Sequence, residues 1–129
     1  MVYLTLGDPT IYCSFGYIAR ILLTDGYQVE FVSGVTSFCA VSARLKQTLV
    51  DWDEPLHIIP AGHNNVDIES GTFVIMKAVG QIQDIKEKLK RSGRIVKMVE
   101  NCGMENERVY TSIEDMPDST GYYTMIIAK

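Results

Sequence analysis

Segments with the composition of β-strands alternate with segments of helical periodicity in the first third of this chain. Residues 2–6 predict a strand, and residues 10–24 predict a helix because apolar side chains recur there at helical spacing. A second strand is predicted over residues 28–32 and a second helix over residues 36–46. This order is typical of an α/β layer with parallel strands, so the predicted fold class is α/β.

The rest of the chain predicts several strands around one surface helix. Residues 81–91 place apolar residues on one helical face, and Gly93 follows where a helix end is expected. The predicted strands are residues 56–59, 72–76, 95–99, 107–111 and 122–128, and the predicted loops are 61–71 and 115–121. The change of pattern near residues 33–36 predicts two lobes, residues 1–34 and residues 35–129.

Composition excludes several classes of protein. The 129 residues are 47% hydrophobic and 22% charged, which is typical of a soluble globular protein. A net charge of -4 argues against binding to nucleic acid or to an anionic membrane. The longest charge-free stretch, Phe31–Ala43, is shorter than the roughly 18 to 20 residues that span a bilayer. Three widely spaced cysteines form no disulfide framework and no zinc motif, which predicts a reducing cytoplasm.

The tripeptide Gly7-Asp8-Pro9 separates the first strand from the first helix, and it has two interpretations. Asp is a preferred N-cap, and Pro is favoured at the first helical position, so the tripeptide is good helix-start chemistry. Ligands of open α/β sheets also bind beyond the carboxyl ends of strands, where Gly7 allows close approach and Asp8 offers an acceptor. The residues alone leave both interpretations open.

Five segments, taken together and in order, carry a family resemblance: LTLGDPTIY at residues 4–12, SGVTSF at 33–38, LHIIPA at 56–61, VIMK at 74–77 and GYYTMIIAK at 121–129. In order and spacing they resemble the tetrapyrrole methylases, which use S-adenosyl-L-methionine as methyl donor and release S-adenosyl-L-homocysteine. The resemblance implies a two-lobed α/β fold with the donor held between the lobes. This chain is expected to contain the end of the N-terminal lobe and the C-terminal lobe.

The resemblance also implies which residues contact the donor. Residues 6–8 match the family's Gly-Asp-Pro turn, with an apolar contact two residues after the proline. The set also includes two hydroxyl residues that open the second helix. It is completed by the methionine that ends the VIM strand and by the residue after Val-Glu-Asn. The implied cofactor-binding residues are Leu6, Gly7, Asp8, Ile11, Thr36, Ser37, Met76 and Cys102. The resemblance implies no metal ligand, and it identifies no catalytic residue.

Two departures from the family pattern concern the lobe junction and the beginning of the fold. Ser33 stands before Gly34 where family members usually have proline. The family's glycine-rich first segment has no counterpart in this sequence. The chain is therefore expected to be the C-terminal part of a longer enzyme and to be inactive alone.

Within the family, the segments are most similar to members that methylate C20 of precorrin-2 or cobalt-precorrin-2 in cobalamin biosynthesis. The resemblance thus implies a tetrapyrrole substrate and a homodimer. Methylation of uroporphyrinogen III, of another corrin precursor, of diphthamide or of ribosomal RNA remains open. So does a non-catalytic dimerisation module built on the helix Phe38–Leu45.

Other chemistry-bearing residues favour structural roles. Residues 51–55 form an acidic turn before a proline, which is common without a metal. His57 lies inside an apolar strand, which favours a hydrogen-bonded core histidine, and His63 lies in a polar loop. A basic cluster is interpreted as a solvated face rather than an RNA-binding surface; it consists of Lys86, Lys88, Lys90, Arg91, Arg94 and Lys97.

Overall fold

The computed structural model describes residues 1–61 and 70–129. These residues form two compact units, Met1–Ala40 (unit 1) and Val41–Lys129 (unit 2). The two predicted lobes, with their boundary between residues 34 and 35, stay a prediction.

Unit 2 contains one five-stranded mixed sheet. Its strands are β1 (Leu56–Pro60), β2 (Thr72–Met76), β3 (Val96–Glu100), β4 (Arg108–Tyr110) and β5 (Thr124–Ala128). The spatial order is β1-β2-β5-β3-β4, and among the described strands only β1 and β2 pair in parallel. Because β2 and β3 are both antiparallel to β5, they run in the same direction. The carboxyl ends of β1, β2 and β3 therefore lie at one edge of the sheet, which we call the carboxyl edge.

Strands β2 and β5 are buried along their whole length because both faces of the sheet are covered. On one face, Phe73, Met98 and Ile126 pack in a buried cluster with the amphipathic helix α3 (Ile82–Ser92). On the other face, Val74 and Ile127 are buried as well.

Polar contacts on the second face show which segment lies nearby. The Nζ atom of Lys97 donates to Gln47 Oε1 at 2.7 Å, and Lys129 Nζ donates to the Thr48 carbonyl at 3.1 Å. Residues 47–48 follow helix α2 (Ser37–Arg44) along the chain. The sheet predictions are confirmed to within one or two residues at each end, as are the helices at residues 36–46 and 81–91.

Unit 1 differs from its prediction in two respects. None of its 40 residues, all of which the structure describes, belongs to a β-ladder, so the predicted strands at residues 2–6 and 28–32 are wrong. Strand formation requires a neighbouring backbone, and no described segment pairs with either one. The helix predicted over residues 10–24 begins later, as α1 (Phe15–Thr24), because Tyr12 has a left-handed backbone with φ of 48°.

Unit 1 buries few apolar side chains. Its aromatic contacts centre on Phe15, which stacks on Tyr3 at 4.9 Å and meets Phe31 edge-on at 5.2 Å between ring centroids. Ala19 and Phe38 are its only buried apolar residues. The exposed apolar side chains include Val2, Leu4, Leu6, Tyr17, Ile21, Leu23, Tyr27, Val32 and Val35. Unit 1 therefore has little apolar core of its own, whereas unit 2 has a continuous one.

Glycine residues end two of the helices, as the sequence predicts. After α1, Tyr27 N–H donates to the Leu22 carbonyl and Gly26 N–H donates to the Leu23 carbonyl, which is a Schellman motif. Gly26 has a φ of 83°, and Gly93 ends α3 with a φ of 67°. Both conformations are left-handed and favour glycine.

Gly93→Ala is expected to lower the free energy of unfolding of unit 2 by about 1 kcal/mol, because a Cβ atom is strained in the left-handed region. The measurement is urea unfolding followed by circular dichroism. Gly121→Ala is the matched control in the same unit, since Gly121 has no positive φ and no atom within 4 Å of a built Cβ. Equal losses in both variants would contradict the role assigned to Gly93.

Within the described residues, no helix has both the length and the apolar character needed to cross a membrane. Part of the loop predicted over residues 61–71, including His63, lies outside the described residues.

Candidate functional site

Two of the sequence-predicted residues lie at the carboxyl edge of the sheet in unit 2. Met76 is the last residue of β2 and only 9% exposed. It pairs with Met125 of β5, and Met125 also pairs with Val99 of β3. Cys102 lies two residues beyond the end of β3, at the same edge. The topology of unit 2 therefore brings Met76 and Cys102 to one edge, where ligands of α/β sheets bind.

The backbone is strained directly after both strands. Lys77 follows β2 with a φ of 58°, and Asn101 follows β3 with a φ of 51°. Residues other than glycine adopt this conformation at a cost of about 1 to 3 kcal/mol, and such residues cluster at functional sites. The flanking backbone is held by Ala61 N–H donating to the Met76 carbonyl and Asn101 N–H donating to the Tyr123 carbonyl, each at 2.8 Å.

A buried carboxylate also lies at this edge. Glu100, the last residue of β3, accepts from Tyr110 Oη at 2.9 Å and from Thr120 Oγ1 at 2.6 Å. Burial, together with the bond to Glu100, raises the pKa of the Tyr110 hydroxyl. These bonds satisfy the carboxylate and connect β3 to the segment that precedes β5.

The loop after β3 is held by a second carboxylate. Glu107 Oε2 accepts from Gly103 N–H at 2.7 Å, and Glu107 Oε1 accepts from Arg44 Nε at 2.5 Å. The hydrogen bond from the Gly103 amide, and to a lesser extent the bond from Arg44, lowers the pKa of the Glu107 carboxyl. Burial, and then the charge of Glu107, raise the pKa of the Cys102 thiol. Cys102 is therefore a neutral thiol at pH 7 and a poor nucleophile.

In unit 1, Asp8 organises the Gly7-Asp8-Pro9 turn. Its Oδ1 atom accepts from the Thr10 N–H at 2.8 Å and from the Thr10 hydroxyl, and its Oδ2 atom accepts from the Gly34 N–H at 3.0 Å. The Thr10 bonds, and then the Gly34 bond, hold the pKa of the Asp8 carboxyl below its ordinary value. Ser14, not Asp8, is the N-cap of α1. Asp8 thus caps a local turn and joins it to residue 34, and it does not start the helix.

The backbones of this turn and of residue 34 are in close contact. A Cβ atom built on Gly34 would lie 2.2 Å from the Gly7 carbonyl oxygen, which no side chain tolerates. Gly7 itself has a φ of 79°. Glycine is therefore required at residue 34 by space and favoured at residue 7 by conformation.

The Thr36 hydroxyl is a buried polar atom for which the described part of the chain supplies no hydrogen-bond partner. Thr36 lies at the start of α2, where its carbonyl accepts from Ala40 N–H at 3.0 Å. Buried polar groups are nearly always paired, so an unpaired one in a native fold calls for an explanation such as a ligand. Ser37, the first residue of α2, is exposed.

Two apolar residues flank the Asp8 turn. Leu6 is 76% exposed and Ile11 is 37% exposed. Within unit 1, the structure thus groups Leu6, Gly7, Asp8 and Ile11 in one turn and joins that turn to Gly34, two residues before Thr36.

Residues 1–117 match the profile of a known protein family, the Tetrapyrrole (Corrin/Porphyrin) Methylases. The chain belongs to this family. The match covers both units, including every residue of the turn at Asp8 and of the carboxyl edge up to residue 117.

A curated member of the family is clearly similar in sequence. A probable cobalt-precorrin-2 C(20)-methyltransferase from Methanocaldococcus jannaschii is 35% identical over 109 residues, which is 82% of this chain and 47% of that protein. The chain thus spans about half the length of this curated relative.

Solved structures of methyltransferases share the fold. A cobalt precorrin-4 methyltransferase, a cobalamin biosynthetic enzyme, matches with a TM-score of 0.76 at 20% identity, over 95% of this chain and 60% of that one. Uroporphyrin-III C-methyltransferase from Thermus thermophilus, complexed with S-adenosylhomocysteine, matches with a TM-score of 0.70 at 23% identity. That match covers 95% of this chain and 62% of the other. At these identities the likeness is one of fold, and it confirms the predicted α/β fold of this family.

Candidates outside the implied donor-binding set have structural contacts. His57 lies on the edge strand β1, where it is exposed, so its predicted place in the core is wrong. Its Nε2 atom lies 3.1 Å from the Ser70 carbonyl, and its ring stacks on Phe73. Asp51, from the acidic turn, accepts from Thr48 Oγ1 and from Lys129. Among the described residues, no group of three or more His, Cys, Asp or Glu residues is arranged to hold a metal.

The basic cluster is divided among separate partners. Lys86 donates to the Met116 carbonyl and to Asp118, and Lys90 donates to Glu114. Arg94 lies over the Phe73 ring and donates to Gly71, while Lys97 donates to Gln47 on the other face of the sheet. These residues do not share one surface. The interpretation of the cluster as a single solvated face is therefore correct only in part.

Sequence reasoning missed the pair Arg44 and Glu107 and the strain at Lys77. No local pattern links Arg44 to Glu107, because 63 residues separate them. The contact between Gly34 and Gly7 also depends on tertiary structure, so no local pattern predicts it.

Proposed function

We propose that this chain is part of an S-adenosylmethionine-dependent methyltransferase that methylates C20 of precorrin-2 or cobalt-precorrin-2 in cobalamin biosynthesis. The observation that carries the proposal is the 35% identity with the cobalt-precorrin-2 C(20)-methyltransferase from M. jannaschii. The chain spans 47% of that relative, so the activity is proposed for the whole protein, and this chain alone is proposed to be inactive.

The proposed donor-binding residues are Leu6, Gly7, Asp8, Ile11, Thr36, Ser37, Met76 and Cys102. Several observations on their surroundings fit a nucleoside with a charged amino-acid tail. The Thr36 hydroxyl is buried with no partner among the described residues, which suits a hydrogen bond to ligand. Leu6 and Ile11 offer exposed apolar surface for adenine. Strained backbone at Lys77 and Asn101 borders Met76 and Cys102.

The chemistry asks for little beyond binding and orientation. S-adenosylmethionine supplies an electrophilic methyl group on its sulfonium, and the electron-rich carbon of the macrocycle is the nucleophile. The residues of this chain need only hold the donor in line with that carbon, which supplies proximity and orientation. Asp8 has three of its acceptor sites occupied by Thr10 and Gly34, so we assign it chiefly to shaping the turn.

Thr36→Val tests the donor site. Removing an unpaired buried hydroxyl is expected to leave the free energy of unfolding unchanged or to raise it by up to about 1 kcal/mol. Because the same hydroxyl is proposed to bind the donor, the affinity for S-adenosylhomocysteine is expected to fall about tenfold. The measurements are calorimetric titration and urea unfolding.

Thr36→Ser is the control, because it keeps the hydroxyl and removes only a methyl group. It is expected to bind within about twofold of the wild type. Unchanged affinity in Thr36→Val would remove Thr36 from the donor site.

The titration of S-adenosylhomocysteine is run on this chain and on a chain extended at its amino end to the limit of its reading frame. Turnover is then measured on precorrin-2, cobalt-precorrin-2 and uroporphyrinogen III, with the methylated position located by mass spectrometry and NMR. Methylation at C20 supports the proposal. Methylation of uroporphyrinogen III instead would assign the chain to another branch of the family.

We further propose that the protein is a cytoplasmic homodimer with no nucleic-acid or membrane partner. The net charge of -4 and the unpaired cysteines support this location and this set of partners. Analytical ultracentrifugation at micromolar concentration tests the dimer, and a monomer that still binds the donor would overturn it.

A further inference from the structure

We propose that Glu107 and Arg44 are positioning residues for the donor site at the end of β3. This inference rests on the proposed function, since it assigns a role in donor binding to residues that themselves lie outside the donor-contact set. Glu107 connects two parts of unit 2 that are distant in sequence: Arg44 at the end of α2, and Gly103 in the loop after β3.

The backbone that Glu107 holds is one that needs external support. Asn101 and Gly103 both have left-handed backbones, with φ of 51° and 77°. Cys102, the proposed donor contact, lies between them. Two consecutive turns follow, in which Met104 N–H donates to the Asn101 carbonyl and Glu107 N–H donates to the Met104 carbonyl. Glycine and asparagine adopt the left-handed region readily, so this turn has little steric restriction of its own, and the bond from Gly103 to the Glu107 side chain is a contact that fixes it.

The two hydrogen bonds to Glu107 are charge-assisted and therefore strong. Both bonds to Glu107 involve an ionised carboxylate, and charge-assisted hydrogen bonds are about twice as strong as neutral ones. The pKa of the Glu107 carboxyl is lowered, so the carboxylate is charged at neutral pH. Its side chain is 15% exposed, whereas that of Arg44 is 53% exposed.

The two carboxylate oxygens of Glu107 have different partners, so Glu107 and Arg44 have different roles. An exposed ion pair alone contributes little to stability, so the Arg44 bond by itself would carry no functional weight. What distinguishes this pair is that the second oxygen of Glu107 is committed to a backbone amide next to Cys102. Arg44 in turn fixes the direction of that carboxylate. Loss of Glu107 removes both bonds, whereas loss of Arg44 leaves the bond to Gly103.

The test compares Glu107→Gln with Arg44→Ala in whichever of the two chain lengths binds S-adenosylhomocysteine. The glutamine keeps the size of the side chain but has one acceptor oxygen, which accepts from the charged Arg44 because that is the stronger donor; its NH2 group then faces the Gly103 N–H, and the bond to Gly103 is lost. Affinity is expected to fall about tenfold in Glu107→Gln and less in Arg44→Ala, with folding by circular dichroism unchanged. Hydrogen exchange of the peptide containing residues 101–104 is expected to speed up in Glu107→Gln without ligand.

The matched control is Glu87→Gln. Glu87 pairs with Arg91 on α3 at 3.9 Å, with side chains 73% and 82% exposed, so it is an ion pair of the same unit with no bond to the loop. Its removal is expected to leave both affinity and exchange unchanged. Wild-type affinity in Glu107→Gln, with the wild type binding, would overturn this inference alone. Absence of binding in the wild type of both lengths would overturn the proposed function and this inference with it.

Discussion

Replacing Gly34 with alanine is expected to weaken binding of S-adenosylhomocysteine by roughly 50- to 100-fold. The new Cβ atom would lie 2.2 Å from the carbonyl oxygen of Gly7 and 3.2 Å from its carbonyl carbon. Both atoms belong to backbone, so no side-chain rotation relieves the clash, and the turn must move away from residue 34. Overpacking of this kind costs about 1 to 3 kcal/mol. The hydrogen bond from Gly34 N–H to Asp8 is expected to break as well.

Gly16→Ala is the control for the Gly34 substitution. Gly16 lies in α1 of the same unit, and a Cβ atom there meets nothing within 4 Å. Alanine is favoured over glycine in a helix by up to about 1 kcal/mol, so this variant is expected to bind normally and to stabilise α1. Normal binding in both variants would show that the contact between residues 7 and 34 does not shape the donor site.

Asp8→Asn is the second large expected effect, because it changes one acceptor into a donor without changing shape. The amide oxygen still accepts from Thr10, but the NH2 group then faces the Gly34 N–H, and two donors cannot bond. The affinity for S-adenosylhomocysteine is expected to fall at least about tenfold. Asp25→Asn, which removes a carboxylate from the end of α1 in the same unit, is expected to bind normally.

The same carboxylate predicts a pH dependence with a definite sign. Hydrogen bonds lower the folded-state pKa of Asp8 below its ordinary value of 3.8. Its contribution to unit 1 is therefore fully present above that ordinary value and is lost as the pH falls through the lower, folded-state pKa. The amide NMR resonances of Thr10 and Gly34, which both donate to Asp8, are expected to titrate together below pH 3.8. Separate midpoints for the two amides would contradict a shared carboxylate.

Elements with a strong local signal were predicted well from the sequence. Strand β2 is rich in apolar and β-branched residues and follows Gly71, and α3 has a clear apolar face with Gly93 at its end. Such segments carry their own conformational preference, so their bounds agree with the prediction to within one or two residues. The sequence does not show that Met76 and Cys102 lie at the same edge of the sheet. That follows from the pairing of β2 and β3 with β5.

The errors in secondary structure fall in unit 1, where contacts between distant segments decide the conformation. Residues 2–6 and 28–32 have the composition of strands, yet a strand exists only as part of a ladder, and no described segment pairs with either one. The helix start was misplaced for a related reason. Asp8 and Pro9 have good capping chemistry, but the Asp8 carboxylate is drawn to Gly34, and Tyr12 takes a left-handed backbone before α1 begins.

The amino-acid sequence alone determined the family, the presence of α1, α2 and α3, the strands of unit 2 and the glycines that end α1 and α3, because these features carry a strong local signal. Tertiary structure alone decided what the Gly7-Asp8-Pro9 turn does. The bond from Gly34 to Asp8 joins residues 26 apart, and the contact that excludes a side chain at residue 34 is made with the equally distant Gly7. The hydrogen bonds that connect Arg44 through Glu107 to Gly103 join residues that lie even farther apart in the sequence, since 63 residues separate Arg44 from Glu107. Hydrogen bonds and steric exclusion act through space, so a linear pattern does not reveal them.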